Sequence, residues 1–452
     1  MWKRFSDCSS LFACPTASGH RVKSCQPSSF CPSKFVVERF RKFPRGGTMK
    51  LSRALLSLFS ALTVSGVASQ GTDLGGSVVT RTDVEKFADL ALDVRDIKQQ
   101  LAAGESGAAL SLYLNGRNAE SSPGIKVTLK SLSDDMSALL DSTSRTPPTP
   151  AYLFHLFGLA DRDVSRLSDH RLYAGNFVQT SLSSGSALSS DAIVALNMWM
   201  YATHLLYAGI DTCQRRTVAD NPNAFTIGGG GMDEFIALWI GHDQRPGNDD
   251  GHSLYALAQK AATLFGQNKP EAPVNSNLKL LYNDGASVLS FPNACSRNNK
   301  ETVPQLWVTA QRMLFQMNIP LMQMLIDAVV SRNTAATRLY AQALVPQIAQ
   351  CRPSVYKRLK ESLLDGTSVI SRSEDVIRDL QAAYDCLGFT CSDIGAYRTD
   401  VLAQCADVPV NIPLAEYAPT TRVHSVSFRS ELCIFLLEPK NSSVFCSVAF
   451  QD

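Results

Sequence analysis

The sequence predicts an all-α protein, an antiparallel helical bundle that is held together by disulfide bonds. Hydrophobic residues recur at three- and four-residue spacing over most of residues 80–384, which is typical of amphipathic helices. Strand-like alternation of apolar and polar residues is scarce before the C-terminus. An even number of cysteines follows an apparent secretory signal, so disulfide bonds are expected.

Residues 49–69, MKLSRALLSLFSALTVSGVAS, have the three parts of a secretory signal peptide. Lys50 and Arg53 supply the positive charge, residues 54–64 the apolar core, and small residues precede Gln70. The apolar core is shorter than the roughly 20 residues that a membrane-spanning helix needs. We therefore expect a secreted protein at the extracellular or periplasmic cell surface; a buried core helix is the alternative.

Residues 1–48 differ from the rest of the chain because they are strongly basic and hold four cysteines without a CxxC pair. A signal peptide cannot act in the usual way behind such a segment, so we interpret 1–48 as a gene-model extension or leader, with translation starting at Met49. A bipartite targeting peptide is the alternative. Without residues 1–69 the chain is acidic and has no basic run, which argues against a nucleic-acid partner.

Eight of the 12 cysteines follow the signal. They are Cys213, Cys295, Cys351, Cys386, Cys391, Cys405, Cys433 and Cys446. Their connectivity cannot be deduced from spacing alone. Cys386 and Cys391 lie so close in sequence that pairing would require a tight turn, and we expect distant partners such as Cys351 and Cys405.

Helical periodicity predicts ten main helices. They cover residues 80–101, 127–140, 190–209, 232–239, 254–265, 303–317, 321–330, 335–349, 355–364 and 375–384. Pro320 is expected to kink or break the helical stretch around it. The segment 192–210 is apolar enough to span a membrane, but Asn197 and His204 would be costly there. We expect a buried core helix and no transmembrane segment in the mature chain.

Weak similarity between two parts of the sequence indicates two diverged helical repeats. LYLNGRNA at 112–119 is similar to LYNDGASV at 281–288, and the stretches before Cys213 and Cys351 are similar in the same order. We predict a first repeat over residues 70–210 and a second over 211–410. We expect residues 411–452 to form an irregular tail, which a misread exon boundary would explain, with strand-like apolar runs and one glycosylation sequon at Asn441.

The segment 228–255, GGGGMDEFIALWIGHDQRPGNDDGHSLY, is richest in groups able to bind a ligand. The glycines predict a flexible entry or a loop, and Asp233 and Glu234 are expected in the first turn of the following helix. Oxygen ligands with imidazole suit a hard cation such as Fe³⁺. The candidate metal ligands are Asp233, Glu234, His242, Asp243 and Tyr255, with Tyr282 as a second source of phenolate. A solvated acidic loop is the alternative.

The stretch GHSLY at 251–255 is a partial match to the G-x-S-x-G nucleophile elbow of serine hydrolases. Its fifth residue is Tyr255 instead of glycine, and no strand is predicted before it. We therefore expect no enzymatic activity from Ser253.

Six stretches in one order resemble the algal low-iron-inducible periplasmic proteins, the Fe-assimilating family, in their diatom-type members. They are MDEFIALWIG, GHSLYALAQKAATLFG, VNSNLKLLYNDG, NIPLMQMLIDAV, LYAQALVPQIAQC and AYDCLGFTCSDIG. The resemblance implies helical repeats outside the plasma membrane, induced by iron shortage. Its phytotransferrin branch implies ferric iron bound together with carbonate, and Asp233 and Glu234 are the carboxylates in the matching positions.

The resulting expectation is a non-catalytic, secreted protein of the iron-assimilation type that binds ferric iron. Its expected partners are iron and a cell-surface protein or glycan. The alternative is an extracellular interaction protein whose helical repeats bind a protein or glycan.

Overall fold

The computed structural model describes residues 71–134, 173–215, 224–242, 244–291, 293–296, 299, 301–349, 351–365, 373–397, 424–426 and 448–450. For residues 215, 224–229, 424–426 and 448–450 only the backbone is described. Contacts divide the chain into Met1–Gly66 and Val67–Asp452. The predicted leader and signal peptide, residues 1–48 and 49–69, lie outside the described residues.

The first described part begins with short elements. They are β1 (Asp73–Leu74), β2 (Val78–Val79), α1 (Glu85–Ala88), α2 (Leu90–Ala102), α3 (Ser106–Asn115), β3 (Glu120–Ser122) and β4 (Ile125–Lys126), followed by helical residues 129–134. β1 pairs with β2 and β3 with β4, both antiparallel. The single helix predicted from residue 80 is wrong at its start, since residues 80–84 run as a non-helical segment.

The central helices carry the predicted site. They are α4 (Tyr173–Ser183), α5 (Ser189–Ala192), a π-helical turn (Ile193–Met198), α6 (Trp199–Arg215), α7 (Ala224–Ile240), α8 (Leu254–Leu264) and α9 (Pro273–Leu289). The boundary predicted between two repeats, at 210/211, falls within α6. The repeat division itself stays a prediction.

The remaining elements are mostly helical. They are α10 (Thr302–Val330), α11 (Thr334–Leu344), a 3₁₀ turn (Val345–Ile348), α12 (Pro353–Leu359), a π turn (Lys360–Leu364), α13 (Ser373–Gln381), α14 (Tyr384–Leu387), α15 (Cys391–Ile394), β5 (His424–Val426) and β6 (Val448–Phe450). β5 and β6 pair antiparallel. The described elements confirm the all-α fold, with only short two-stranded ladders beside the helices.

Of the kink or break expected at Pro320, the break is wrong, because α10 continues through it from Thr302 to Val330. The kink stays a prediction. Proline inside a helix removes a hydrogen bond and costs about 3 kcal/mol. The residues beside it, Ile319 and Leu321, are at most 2% exposed. Since α10 packs against α9, α11 and α8, burial along its length outweighs the local penalty.

Two described helical stretches are long and apolar enough to cross a membrane, Ser189–Gln214 and Thr302–Val330. In their most apolar windows, 89% and 78% of the residues are buried inside the protein. The segment 192–210 therefore lies in the interior, as its apolar composition predicts. A core helix of a large domain has the same composition.

Disulfide bonds join distant parts of the chain. Cys213 at the end of α6 pairs with Cys295, and Cys351 pairs with Cys386. Cys391 is also disulfide-bonded. The expectation that Cys386 bonds a distant cysteine such as Cys351 is confirmed. The first bond closes a long loop around α7, α8 and α9 and so restricts the unfolded chain.

Helices α6 and α7 approach each other closely through glycines. A Cβ atom at Gly231 would lie 2.6 Å from the carbonyl oxygen of Leu205 and 2.8 Å from Cα of Gly209. Both neighbours are backbone atoms, so no side chain can move aside. A Cβ at the adjacent Gly230 would meet nothing within 4 Å.

We predict opposite effects for Gly231→Ala and Gly230→Ala. Gly231→Ala should lower the free energy of unfolding by about 1–3 kcal/mol, because α6 and α7 must separate. Gly230→Ala should raise it by about 1 kcal/mol at most, because alanine favours a helix. Urea unfolding of both variants measures the difference, and equal effects would contradict the close contact.

His204 in α6 is half-buried, and its Nδ1 atom is buried without a hydrogen-bond partner among the described residues. Its ring lies 5.4 Å from that of Tyr201. Burial lowers the pKa of His204 to about 4, from an ordinary value near 6.5. The unfolded chain therefore binds a proton on His204 at a higher pH than the folded chain does.

Stability should fall as pH drops from about 6.5 to about 4, by up to about 3 kcal/mol from His204 alone. The contribution is fully present above pH 6.5. In His204→Leu this part of the loss should disappear. Carboxyl groups with raised pKa values have the opposite effect, because they favour the folded state as pH falls, and this effect is the same in both proteins. Urea unfolding at pH 7, 5.5 and 4.5 gives the two slopes, and identical slopes would refute the assignment.

Candidate functional site

The predicted metal-binding segment begins inside a helix. α7 starts at Ala224, so the glycines 228–231 are helical instead of forming a flexible entry. Asp233 and Glu234 consequently lie in the second half of α7, and their predicted placement in a first helical turn is wrong. The close glycine contact with α6 explains why this glycine-rich stretch is helical despite its weak intrinsic propensity.

Asp233 is completely buried and uses both carboxylate oxygens. Its Oδ2 accepts hydrogen bonds from the backbone N–H groups of Arg81, at 3.1 Å, and Thr82, at 2.9 Å, and from the Thr82 hydroxyl at 2.7 Å. Its Oδ1 accepts from the Tyr282 hydroxyl at 2.6 Å. Asp233 thus joins α7 to α9 and to the segment before α1.

Glu234 faces another neighbour, α1. Its Oε1 lies 3.9 Å from Nζ of Lys86, and its side chain is 28% exposed. Burial raises the pKa of Glu234, the positive charge of Lys86 opposes this, and the nearby Asp233 adds to it. Glu234 is therefore a more accessible carboxyl than Asp233 and is held less firmly.

His242 follows the end of α7 and contacts the junction of α1 and α2. Its Nδ1 lies 2.7 Å from Oδ1 of Asp89, and its backbone N–H donates to the carbonyl of Ala88 at 3.0 Å. Burial raises the pKa of Asp89, although His242 opposes that rise. The neighbouring Asp243, also a predicted ligand, lies outside the described residues.

Tyr255 begins a hydrogen-bond network between α8 and α9. Its hydroxyl donates to Oε1 of Glu271 and accepts from the backbone N–H of Gly247 at 2.9 Å. Glu271 also accepts from Lys279, at 2.7 Å on Oε1 and 2.8 Å on Oε2, and from the Ser276 hydroxyl at 2.8 Å.

The network around Tyr255 shifts two pKa values in opposite directions. Burial, reinforced by the hydrogen bond to Glu271, raises the pKa of Tyr255. Burial would raise the pKa of Glu271 too, but the hydrogen bonds from Lys279, Tyr255 and Ser276 together lower it. The result is a carboxylate beside a protonated phenol.

The structure places the described candidate ligands in four separate contacts. Asp233 pairs with Tyr282, Glu234 with Lys86, Tyr255 with Glu271, and His242 with Asp89. Among the described residues, no group of three or more His, Cys, Asp or Glu side chains could hold a metal ion. Assignment of Asp233, Glu234, His242, Asp243 and Tyr255 as metal ligands stays a prediction.

Ser253 is buried immediately before α8, and its hydroxyl donates to the carbonyl of Ile240 at 2.7 Å. No strand precedes it, since the region before it is a loop that follows α7. This environment differs from the strand–turn–helix of a nucleophile elbow. The chain approaches Ser253 closely at Gly241, whose φ is +78°. A Cβ atom at Gly241 would lie 2.9 Å from the Cβ of Ser253, so a residue without a side chain is needed there.

A comparison with protein families identifies the chain. The sequence profile of Fea1, low iron-inducible periplasmic protein, matches residues 53–283. Among the described elements this range covers β1 to most of α9, including the Asp233–Tyr282 and Tyr255–Glu271 pairs. The chain belongs to this family. The Fea1 family is named for periplasmic proteins, so the chain is assigned to the periplasm.

The Fea1 match contains the first two of the six resembling stretches and most of the third, VNSNLKLLYNDG. No curated protein and no solved structure matches the chain.

Sequence reasoning missed the partners of the candidate residues. Glu271, Lys279 and Asp89 lie outside the segment 228–255, at positions that no local motif marks. Glu271 does carry a weak signal, because it stands just before Pro273, the first residue of α9, where a carboxylate is favoured by the helix dipole. Asp89 has no comparable signal.

Asp233→Ala should lower the free energy of unfolding by about 3 kcal/mol or more. The change leaves the N–H groups of Arg81 and Thr82 and the buried Tyr282 hydroxyl without their acceptor. As a matched control, Asp249→Ala removes an exposed carboxylate and should change it by less than about 0.5 kcal/mol. Chemical unfolding measures both, and a mild effect of Asp233→Ala would contradict a structural role.

Proposed function

We propose that the protein binds ferric iron as cargo outside the plasma membrane, at the extracellular or periplasmic cell surface, and presents it to the cell without catalysing a reaction. Membership of the low iron-inducible periplasmic family is the observation that carries this proposal. A protein made when iron is scarce is expected to act on iron itself. Binding of a cell-surface protein or glycan would then serve to hold the loaded protein in place.

The donor chemistry near α7 supports the choice of ferric iron. Phenol and carboxylate oxygens meet at Tyr282 with Asp233 and at Tyr255 with Glu271. Hard oxygen ligands favour a hard cation such as Fe³⁺, and carbonate could complete the coordination as a further oxygen donor. The cysteines in the described disulfides are not thiolate donors.

Of the two pairs, Tyr255 and Glu271 are better suited to exchange with iron. Each carboxylate accepts four hydrogen bonds, but Asp233 is completely buried, whereas the side chain of Glu271 is 12% exposed. A phenolate on iron requires that Tyr255 lose the proton that it donates to Glu271. Because the pKa of Tyr255 is raised, iron binding should weaken as pH falls.

Ferric titration of the secreted protein, with and without bicarbonate, tests the proposal by visible absorbance and calorimetry. We expect a saturable phenolate-to-iron band that is lost in Tyr255→Phe. Tyr207→Phe is the matched control: this buried tyrosine packs on Trp307, with ring centroids 5.2 Å apart, in the core of α6. It should leave the band unchanged.

The outcomes distinguish whether the protein binds ferric iron from which residues bind it. No saturable ferric binding by the native protein would refute iron binding. A band that persists in Tyr255→Phe but is lost in Tyr282→Phe would move the site to Asp233. A band that persists in both variants would keep the function and reject the segment. Circular dichroism of each variant excludes loss of folding as the cause.

A further inference from the structure

A cavity of about 710 Å³ lies between α4 and α11, away from the predicted iron ligands. The Tyr173 hydroxyl donates to the carbonyl of Gln342 at 3.1 Å and ties the two helices together at one end. The loop after α4 and the end of the π turn at Leu364 and Asp365 complete the lining. None of the candidate iron ligands borders this cavity.

The two helical walls present polar side chains at matched spacing. Asn176 and Thr180 stand four residues apart on α4, and Arg338 and Gln342 stand four residues apart on α11. Residues at this spacing lie on one face of a helix, so each pair lines its wall as a row. Asn176, Thr180 and Arg338 are exposed to solvent.

Two polar groups of the cavity have no partner among the described residues. The exposed guanidinium of Arg338 makes no ion pair or hydrogen bond with any of them. The amide oxygen Oε1 of Gln342 is buried and accepts no hydrogen bond from them. A buried acceptor without a donor costs free energy, which a bound hydroxyl would recover.

The remaining lining supplies an apolar surface. Phe177, Leu188 and Leu339 line the cavity beside the polar rows. The ligand should therefore combine an anionic group for Arg338, a hydroxyl donor for Gln342 and an apolar face for Phe177. A sugar ring that bears a carboxylate has all three properties.

We propose that this cavity, the α4–α11 cavity, binds an acidic sugar of the uronic acid type. Arg338 pairs with the carboxylate through two N–H groups, Gln342 Oε1 accepts from a ring hydroxyl, and the ring face packs on Phe177. The size of the cavity accommodates more than one sugar unit. The source is either a free uronic acid or the chain of an acidic polysaccharide.

Calorimetry on the complete secreted protein tests the proposal with three probes: galacturonate, a galacturonate trimer and the neutral galactose trimer. We expect binding of an acidic probe and at least about ten-fold weaker binding of the neutral one, because a charge-assisted hydrogen bond is lost. Arg338→Gln should weaken acidic binding by a similar factor. Gln342→Leu should weaken it without lowering stability, since its amide oxygen has no partner.

Arg312→Gln is the matched control, because Arg312 is an exposed arginine on α10 that does not line the cavity. Binding of the trimer alone, or of the trimer and galacturonate, supports the proposal and indicates a polysaccharide; binding of galacturonate alone supports a free acid. Absence of acidic binding, equal binding of the neutral trimer, or unchanged binding in Arg338→Gln would each overturn it. Iron titration of Arg338→Gln should match the native protein.

Discussion

The buried carboxylate of Asp233 is the interaction on which the arrangement around α7 depends. Its two oxygens accept from the segment before α1 and from Tyr282 on α9, so one side chain fixes three parts of the chain that lie far apart in sequence. A buried carboxylate is tolerated only when its oxygens are satisfied. Residues 80–84 leave the helical path that their periodicity favours, because the N–H groups of Arg81 and Thr82 bond Asp233 and those of Thr80 and Val84 bond Thr72.

The hydrogen bonds that Asp233 accepts from the fold bear on its proposed role as an iron ligand. A ligand that already holds four hydrogen bonds would have to release part of the fold in order to bind a metal ion. Glu271 also accepts four hydrogen bonds, from Tyr255, Lys279 and Ser276, but its side chain is 12% exposed, whereas Asp233 is completely buried. This accessibility is the reason for proposing Tyr255 and Glu271, and not the residues of α7, as the iron site.

Much of the helical framework was predictable because periodicity reports burial directly. α8 was predicted at 254–265 and runs Leu254–Leu264, and α11 with its 3₁₀ turn covers most of the predicted 335–349. α9 was not predicted, although Pro273 at its first turn and buried Leu278, Tyr282 and Leu289 at helical spacing mark it. Two other errors, at the glycines before Met232 and at Pro320, share one cause: local propensity weighed too heavily against packing between helices.

The sequence by itself determined the helical class, the distant pairing of Cys386, the burial of the apolar segment 192–210 and the family. All of these follow from composition, spacing and motif order, which are properties of the chain. Only the tertiary structure decided which polar groups meet. Asp233 bonds Arg81 and Thr82, Tyr255 bonds Glu271, and Arg338 and Gln342 of α11 line one cavity with residues of α4. Such contacts join residues separated by up to about 170 positions, and their partners are chosen by how helices pack, which no local pattern encodes.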